Sequence, residues 1–156
     1  MAALVVALDQ VTKQWAVSRL TEGPCTPASC IEVFWTLRFH LHFNRGASFS
    51  TGQGLGPWFG VLALLMSVYL IRQAVKDPSL RITLLFGGLA GGAVGNLADR
   101  LFRAQDGLLS GAVIDFIDFQ WWPIFNIADM AIVGGVLSLI ALSVFRPQQP
   151  EQESAS

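Results

Sequence analysis

The chain has 156 residues, of which 53% are hydrophobic and only 13% charged, with a mean hydropathy of +0.51. That composition belongs to an integral membrane protein, because long apolar stretches of this kind are stable only where lipid replaces water. A net charge of −1 from ten scattered Lys and Arg excludes a nucleic-acid partner, since counterion-release binding needs a concentrated basic surface.

In chain order, the first apolar segment covers residues 1–20 and is interrupted by Asp9, Lys13 and Arg19. It is too polar for the core of a signal peptide. Asp9 and Lys13 are four apart with the acid first, so their side chains meet on one helix face. The pair is either a neutralised brace within a bundle or a group facing an interior site. Cys25 and Cys30 follow in the Pro-rich run Pro24-Cys25-Thr26-Pro27-Ala28-Ser29-Cys30. They pair if the loop meets an oxidising compartment and are otherwise free thiols; zinc lacks further spaced ligands here.

Leu37-Arg38-Phe39-His40-Leu41-His42-Phe43-Asn44 alternates strictly, the two-residue period of a strand with one apolar face. Leu37, Phe39, Leu41 and Phe43 share that face. His40 and His42 fall on the other, where a solvated strand face is the expectation over metal ligation. Gly52-Gln53-Gly54-Leu55-Gly56-Pro57 is a turn, and Pro57 suits the first turn of a helix over residues 57–75.

A third helix, expected over residues 82–101, carries Gly87-Gly88-Leu89-Ala90-Gly91-Gly92-Ala93-Val94-Gly95-Asn96. No Lys-Ser/Thr follows to make a phosphate loop. Gly87/Gly91, Gly88/Gly92 and Gly91/Gly95 have instead the spacing that lets membrane helices approach closely, which sets Asn96, Asp99 and Arg100 against neighbouring helices. The fourth helix, over residues 124–145, follows the two most informative segments, Val113-Ile114-Asp115-Phe116-Ile117-Asp118-Phe119 and Phe125-Asn126-Ile127-Ala128-Asp129. A carboxylate near hydrocarbon costs roughly 2.5–3.5 kcal/mol on insertion scales, so each is a functional hypothesis by default. Two from neighbouring segments suggest an aspartate pair. Like charges so close do not both ionise cheaply, and the pair then holds one proton near neutrality. Trp35, Trp58, Trp121 and Trp122 are either interfacial anchors or ordinary packing.

The expected architecture is an all-α integral membrane protein: four transmembrane helices in one domain, residues 1–146, and a polar tail, residues 147–156. Inserts cover residues 21–56, with β-structure, and residues 102–123. Both termini then lie on one side.

From Asp9 to about Ile132 the chain resembles the lipoprotein signal peptidases (signal peptidase II), aspartic peptidases of the bacterial cytoplasmic membrane. Five motifs recur in order: Asp9-Gln10-Val11-Thr12-Lys13, Asn44-Arg45-Gly46-Ala47-Ser48-Phe49, Gly92-Ala93-Val94-Gly95-Asn96-Leu97-Ala98-Asp99-Arg100 and the two aspartate segments. The resemblance implies that Asp115 and Asp129 are the catalytic pair; spacing alone does not separate Asp118 from Asp115. Asn126, three residues before Asp129, is expected to share its helix face and orient a carboxylate or the substrate backbone. Asn44, Gly46, Asn96 and Arg100 are expected to bind substrate or brace the site, with Asp99 to Arg100 or Asp9 to Lys13 as internal ion pairs. Gly46 is expected to let Phe49 turn towards lipid or substrate, so that the inserts govern access. No metal or cofactor is implied.

The resemblance further implies a diacylglyceryl-modified prolipoprotein substrate, contact with membrane lipids, cytoplasmic termini and extracytoplasmic inserts. Lys/Arg counts do not add to this: Arg72, Lys76, Arg81 and Arg146 fall inside, Arg38, Arg45, Arg100 and Arg103 outside. The family carries a longer, often basic stretch ahead of its first motif. Only eight residues precede Asp9 here, roughly 12 Å of helix, so the native start is expected upstream of Met1. Three other classes compete. A proton-coupled transporter needs an internal repeat not evident here, an assembly protein would use Asp and Arg only for helix pairing, and a Ser-Lys hydrolase would use Ser48 or Ser50 with Lys13 but lacks a Gly-x-Ser-x-Gly element.

Overall fold

The computed structural model describes residues 1–46, 56–76, 79–104 and 107–145. The elements are α1 (Ala2–Arg19), β1 (Cys30–Phe34), β2 (Leu37–Asn44), α2 (Gly56–Lys76), α3 (Leu80–Phe102), β3 (Val113–Asp118) and α4 (Ile127–Val144). The four helices lie on the four apolar stretches of the sequence, within three residues at each end. Ala47-Ser48-Phe49, Ser50, the glycine turn up to Leu55 and the tail from Arg146 lie outside the described residues.

Helix α3 is the centre of the bundle and packs against α1, α2 and α4. Its glycines are the reason it has room to do so. A methyl group built at Gly91 meets Val5 Cβ of α1 at 2.8 Å, one at Gly92 meets Ala128 O of α4 at 2.5 Å, and one at Gly95 meets an Asp9 carboxylate oxygen at 2.6 Å. Adjacent glycines therefore serve opposite helices, with backbones closer than any side chain permits. Between α2 and α3, Leu70, Leu89, Ala90 and Ala93 form a small core joined by Ile132 and Leu139 of α4. The outward faces of α2 and α4 expose Leu62, Leu65, Tyr69, Val133, Leu137 and Ile140. Among the described residues three helices, α2, α3 and α4, are long and apolar enough to cross a membrane. The hydropathy of α1, the fourth expected span, is lowered by charged Asp9 and Lys13, although both are fully buried.

The all-α expectation needs correction, because a three-stranded antiparallel sheet of order β1-β2-β3 caps the bundle. β1 and β2 come from the first insert, where β-structure was expected. β3 comes from the second, where it was not. All six residues of β3 are buried, so the segment carries none of the alternation that reveals a half-exposed strand. Leu41 joins Ala16 of α1, Leu20 just past its end, and Ile114, Phe116 and Ile117 of β3 in a second core, with Leu37, Phe39 and Phe43 packed against it; this is the apolar face of the alternating strand. Trp15 stands edge-on to Phe39 at 5.2 Å and to Phe116 at 6.1 Å. Cys25 and Cys30 are joined in a disulfide, which settles the alternatives left by the sequence.

β2 carries a bulge between Phe39 and His42. Ahead of it Arg38 faces Asp118 and Phe39 faces Ile117; beyond it His42 faces Asp115. Without the extra residue Leu41 would lie opposite Asp115, and the polar end of β2, with Asn44, would be out of step with the carboxylate.

Candidate active site

The two aspartates come together because the chain doubles back after β3. Phe125 exchanges backbone hydrogen bonds with Ile117, at 3.1 and 2.9 Å, so the next residue, Asn126, lands beside β3 as α4 begins. Asn126 does not share a helix face with Asp129 as expected; it is the N-cap of α4. Its Oδ1 accepts from Asp129 N at 3.0 Å, and Asp129 Oδ2 accepts from Asn126 N at 3.2 Å, a reciprocal capping box. That leaves Asn126 Nδ2 to donate to Asp115 Oδ1 at 2.7 Å. One residue thus starts the helix and bridges both carboxyls. A further unpaired amide of the first turn, Ala128 N, donates to Asp9 Oδ1 at 3.0 Å, so α1 supplies a second cap to α4.

Among the described residues, each carboxyl oxygen of the pair accepts one hydrogen bond. Besides the Asn126 contacts, Asp115 Oδ2 accepts from Asn44 Nδ2 at 3.0 Å and Asp129 Oδ1 from Asn96 Nδ2 at 2.8 Å. The amide orientations are fixed by what donates to their oxygens: Gly46 N to Asn44 Oδ1 at 3.2 Å, Lys13 Nζ to Asn96 Oδ1 at 2.9 Å, and Asp129 N to Asn126 Oδ1. Three asparagines therefore present N–H groups, not oxygens, to the aspartates. Gly46 enters through its backbone: its carbonyl accepts from Arg100 at 3.0 Å while its N–H sets Asn44.

Asp9 pairs with Lys13 at 2.8 Å as expected. The alternative pair, Asp99 with Arg100, does not form. Asp99 instead meets Lys13 at 2.8 Å and Arg103 at 2.9 Å, and accepts from Ile114 N at 3.2 Å. Adjacent helix residues point about 100° apart, which turns Arg100 away to the carbonyls of Gly111 and Gly46. The guanidinium so ties both inserts to the end of α3. Two contributors went unread in the sequence. Gln10 Nε2 donates to Asp9 and to Gly95 O, both at 3.1 Å, and the Arg103 contact was signalled by its four-residue spacing from Asp99. Asp118 is occupied elsewhere, paired with Arg38 at 2.7 Å. An odd spacing on a strand sends Asp115 and Asp118 to opposite faces, a signal that separates them once β3 is known to be a strand. His40 Nε2 lies 2.8 Å from Gly23 O and its Nδ1 3.5 Å from Asp118 Oδ2, so its ring is engaged on the Asp118 side of the sheet.

Asp115 and Asp129 line a cavity of about 960 Å³ with Asn44, Asn96, Arg100 and Trp121, walled on the far side by Phe59 and Ala63 of α2. Asp115 is 2% exposed. Its carboxyl is pushed up to about 7, first by burial and then by the charge of Asp129, against the opposing hydrogen bonds from Asn44 and Asn126. Trp121 and Trp122 stand exposed at the cavity rim, and Trp35 and Trp58 are exposed as well.

Fold and site together describe a membrane-embedded enzyme in which a sheet and a helix N-terminus hold two carboxyls on the wall of one cavity. The family model for signal peptidase (SPase) II, peptidase A8, matches residues 1–145. A lipoprotein signal peptidase of Mycobacterium avium is 40% identical over 147 residues, covering 93% of this chain and 77% of that protein. One from Xanthomonas axonopodis pv. citri is 37% identical over 166 residues, covering 97% and 88%. A bacterial membrane enzyme solved by the in meso method at 2.3 Å superposes with a TM-score of 0.74 at 29% identity, over 95% of this chain and 90% of that one. The chain belongs to the signal peptidase II family. It is a membrane peptidase of the aspartic class, and its activity is the removal of signal peptides from lipoprotein precursors.

Proposed function

We propose that Asp115 and Asp129 are the catalytic pair, and that the enzyme cleaves on the N-terminal side of the diacylglyceryl-modified cysteine at the outer face of the bacterial cytoplasmic membrane. The observation that carries this is the shared bridge: two carboxyls held by Asn126 on the wall of one cavity, with a single proton between them favoured by their proximity. In the reaction, the ionised carboxyl takes a proton from water as its oxygen attacks the scissile carbonyl carbon. The protonated carboxyl gives its proton to the carbonyl oxygen. The tetrahedral adduct then collapses: the first carboxyl protonates the leaving amine, and the second recovers its proton from a hydroxyl as C=O reforms.

The cavity suits a precursor delivered from the bilayer. Its α2 and α4 walls, with Phe59, Ala63 and Val133, are apolar and fit a signal-peptide helix. Asn44, Asn96 and Arg100 stand at the polar end, where the scissile bond arrives. We take α1 as the fourth crossing, because its two buried charged groups, Asp9 and Lys13, face α3 and neutralise each other away from lipid. The serine reading loses support from the same contacts: Lys13 Nζ is engaged by Asp9, Asp99 and Asn96, which occupy all three of its donors.

The test is cleavage of a lipidated precursor by purified enzyme. Asp115→Asn and Asp129→Asn should each lower turnover by roughly three orders of magnitude or more, within the range carried by positioned acid-base groups. Substantial turnover by either variant rejects the pair, and equal cleavage of an unlipidated precursor rejects the assigned substrate.

A further inference from the structure

Two chemically identical carboxyls must do different work in this reaction, and their surroundings are unequal. The difference starts at Lys13, which is fully buried. Its ammonium bonds Asp9 Oδ2 at 2.8 Å, Asp99 Oδ2 at 2.8 Å and Asn96 Oδ1 at 2.9 Å. The first two bonds neutralise the cation. The third reaches the pair: a cation on the oxygen of an amide polarises it, and the N–H at its other end becomes a stronger donor. That N–H is Asn96 Nδ2, 2.8 Å from Asp129 Oδ1. The matching amide on the other carboxyl, Asn44, accepts on its oxygen, among the described residues, from the neutral Gly46 N–H.

We propose that Lys13 is the positioning residue that makes the pair unequal: acting through Asn96, it holds Asp129 as the ionised member that takes the proton from water, and leaves Asp115 to carry the proton given to the carbonyl oxygen. This assignment rests on Asp115 and Asp129 being the catalytic pair. On the Asp115 side, burial and then the charge of Asp129 push the carboxyl up to about 7, towards the protonated form. The same ammonium also fixes where Asp115 stands. Asp99, paired with Lys13, accepts from Ile114 N of β3, and Asp9, its other partner, accepts from Ala128 N of α4. A single cation therefore sets the polarity of the pair and the two backbones that carry it. The other charged groups around the pair are Arg100 and Arg103 of α3, with His42 of β2 opposite Asp115 in the sheet.

The test is the pH profile of kcat for a lipidated precursor, in which the acid limb reports the base and the basic limb the acid, both as properties of the coupled pair. Asn96→Leu is the decisive variant, because it cuts the relay and leaves the ion cluster of Asp9, Lys13 and Asp99 whole. Its acid limb should move to higher pH by roughly one unit or more, the size expected when a carboxylate loses a cation-assisted donor. Lys13→Met should shift the same limb, with a further loss of kcat from the β3 and α4 backbones that its partners Asp99 and Asp9 hold. Asn44→Leu should leave the acid limb in place and move only the basic limb. An acid limb unmoved in folded Asn96→Leu overturns the assignment, as does an equal shift of that limb in Asn44→Leu. Failure of the underlying reading shows separately, as turnover by Asp115→Asn or Asp129→Asn.

Discussion

A carboxyl shielded as completely as Asp115's must work against the fold that holds it. Burial, and then the charge of Asp129, push it from 3.8 up to about 7. Between those values the native state binds the proton and the unfolded chain has lost it, so stability falls as pH rises through this window and levels off above it. The penalty at alkaline pH is on the order of a few kcal/mol. Asp115→Asn is neutral at every pH and escapes that penalty, although its amide nitrogen cannot accept from both Asn44 and Asn126. In detergent, the melting temperature of the variant relative to the parent should therefore rise by several degrees from pH 5 to pH 8, at roughly 2–4 °C per kcal/mol. A difference that stays flat across this range means that Asp115 is not held protonated. At this scale the sequence was informative about which residues matter and less so about their partners. Asp9 and Lys13 were readable as a pair from their spacing. Asn126 was misplaced because a cap and a first-turn residue look alike in a string of letters, and Asp99 with Arg100 ignored the angle between neighbours on a helix.

Among the elements, the glycines of α3 decide how closely the site can be assembled. A methyl group at Gly92 meets Ala128 O at 2.5 Å and Ile132 at 2.8 Å, whereas one at Gly88 finds nothing nearer than Met1 Cγ at 3.8 Å. Both glycines stood in the same small-residue pattern, so spacing ranked them equally. Packing does not. Gly92→Ala should cost about 1–3 kcal/mol by overpacking, and because Ala128 is the residue after the start of α4, it should also push Asp129 from Asn96 and depress turnover. Gly88→Ala should be neutral or slightly stabilising, since alanine favours helix over glycine. Thermal melts and precursor cleavage of the two variants, measured side by side, check this; equal behaviour would place the close contact elsewhere on α3. The helices were legible because lipid-length apolar runs are long and distinctive. β3 was not, because a fully buried strand of six residues has neither the length of a span nor the alternation of a surface strand.

For the molecule as a whole, the arrangement of charge in α1 decides how many times the chain crosses the bilayer. Hydropathy assigns three spans because it prices Asp9 and Lys13 as though each faced lipid. Both are fully buried, and Lys13 pairs with Asp9 beside it and with Asp99 of α3, so the cost that hydropathy assumes is largely removed. A crossing α1 puts the chain start on the same side as the α2–α3 connection, and the sheet, Leu108 and the aspartate pair on the other. A cysteine replacing the exposed Leu108 should then react with a membrane-impermeant maleimide in intact cells, while one replacing the exposed Leu80 should react only after permeabilisation. An epitope tag fused ahead of Met1 should be cut by external protease only in inside-out vesicles. The disulfide at Cys25–Cys30 leaves no other described thiol to confuse the labelling. A tag cut in intact cells, with Leu108→Cys still labelled from outside, would mean that α1 does not cross, and that its ion cluster serves only to dock it against α3 on the outer side.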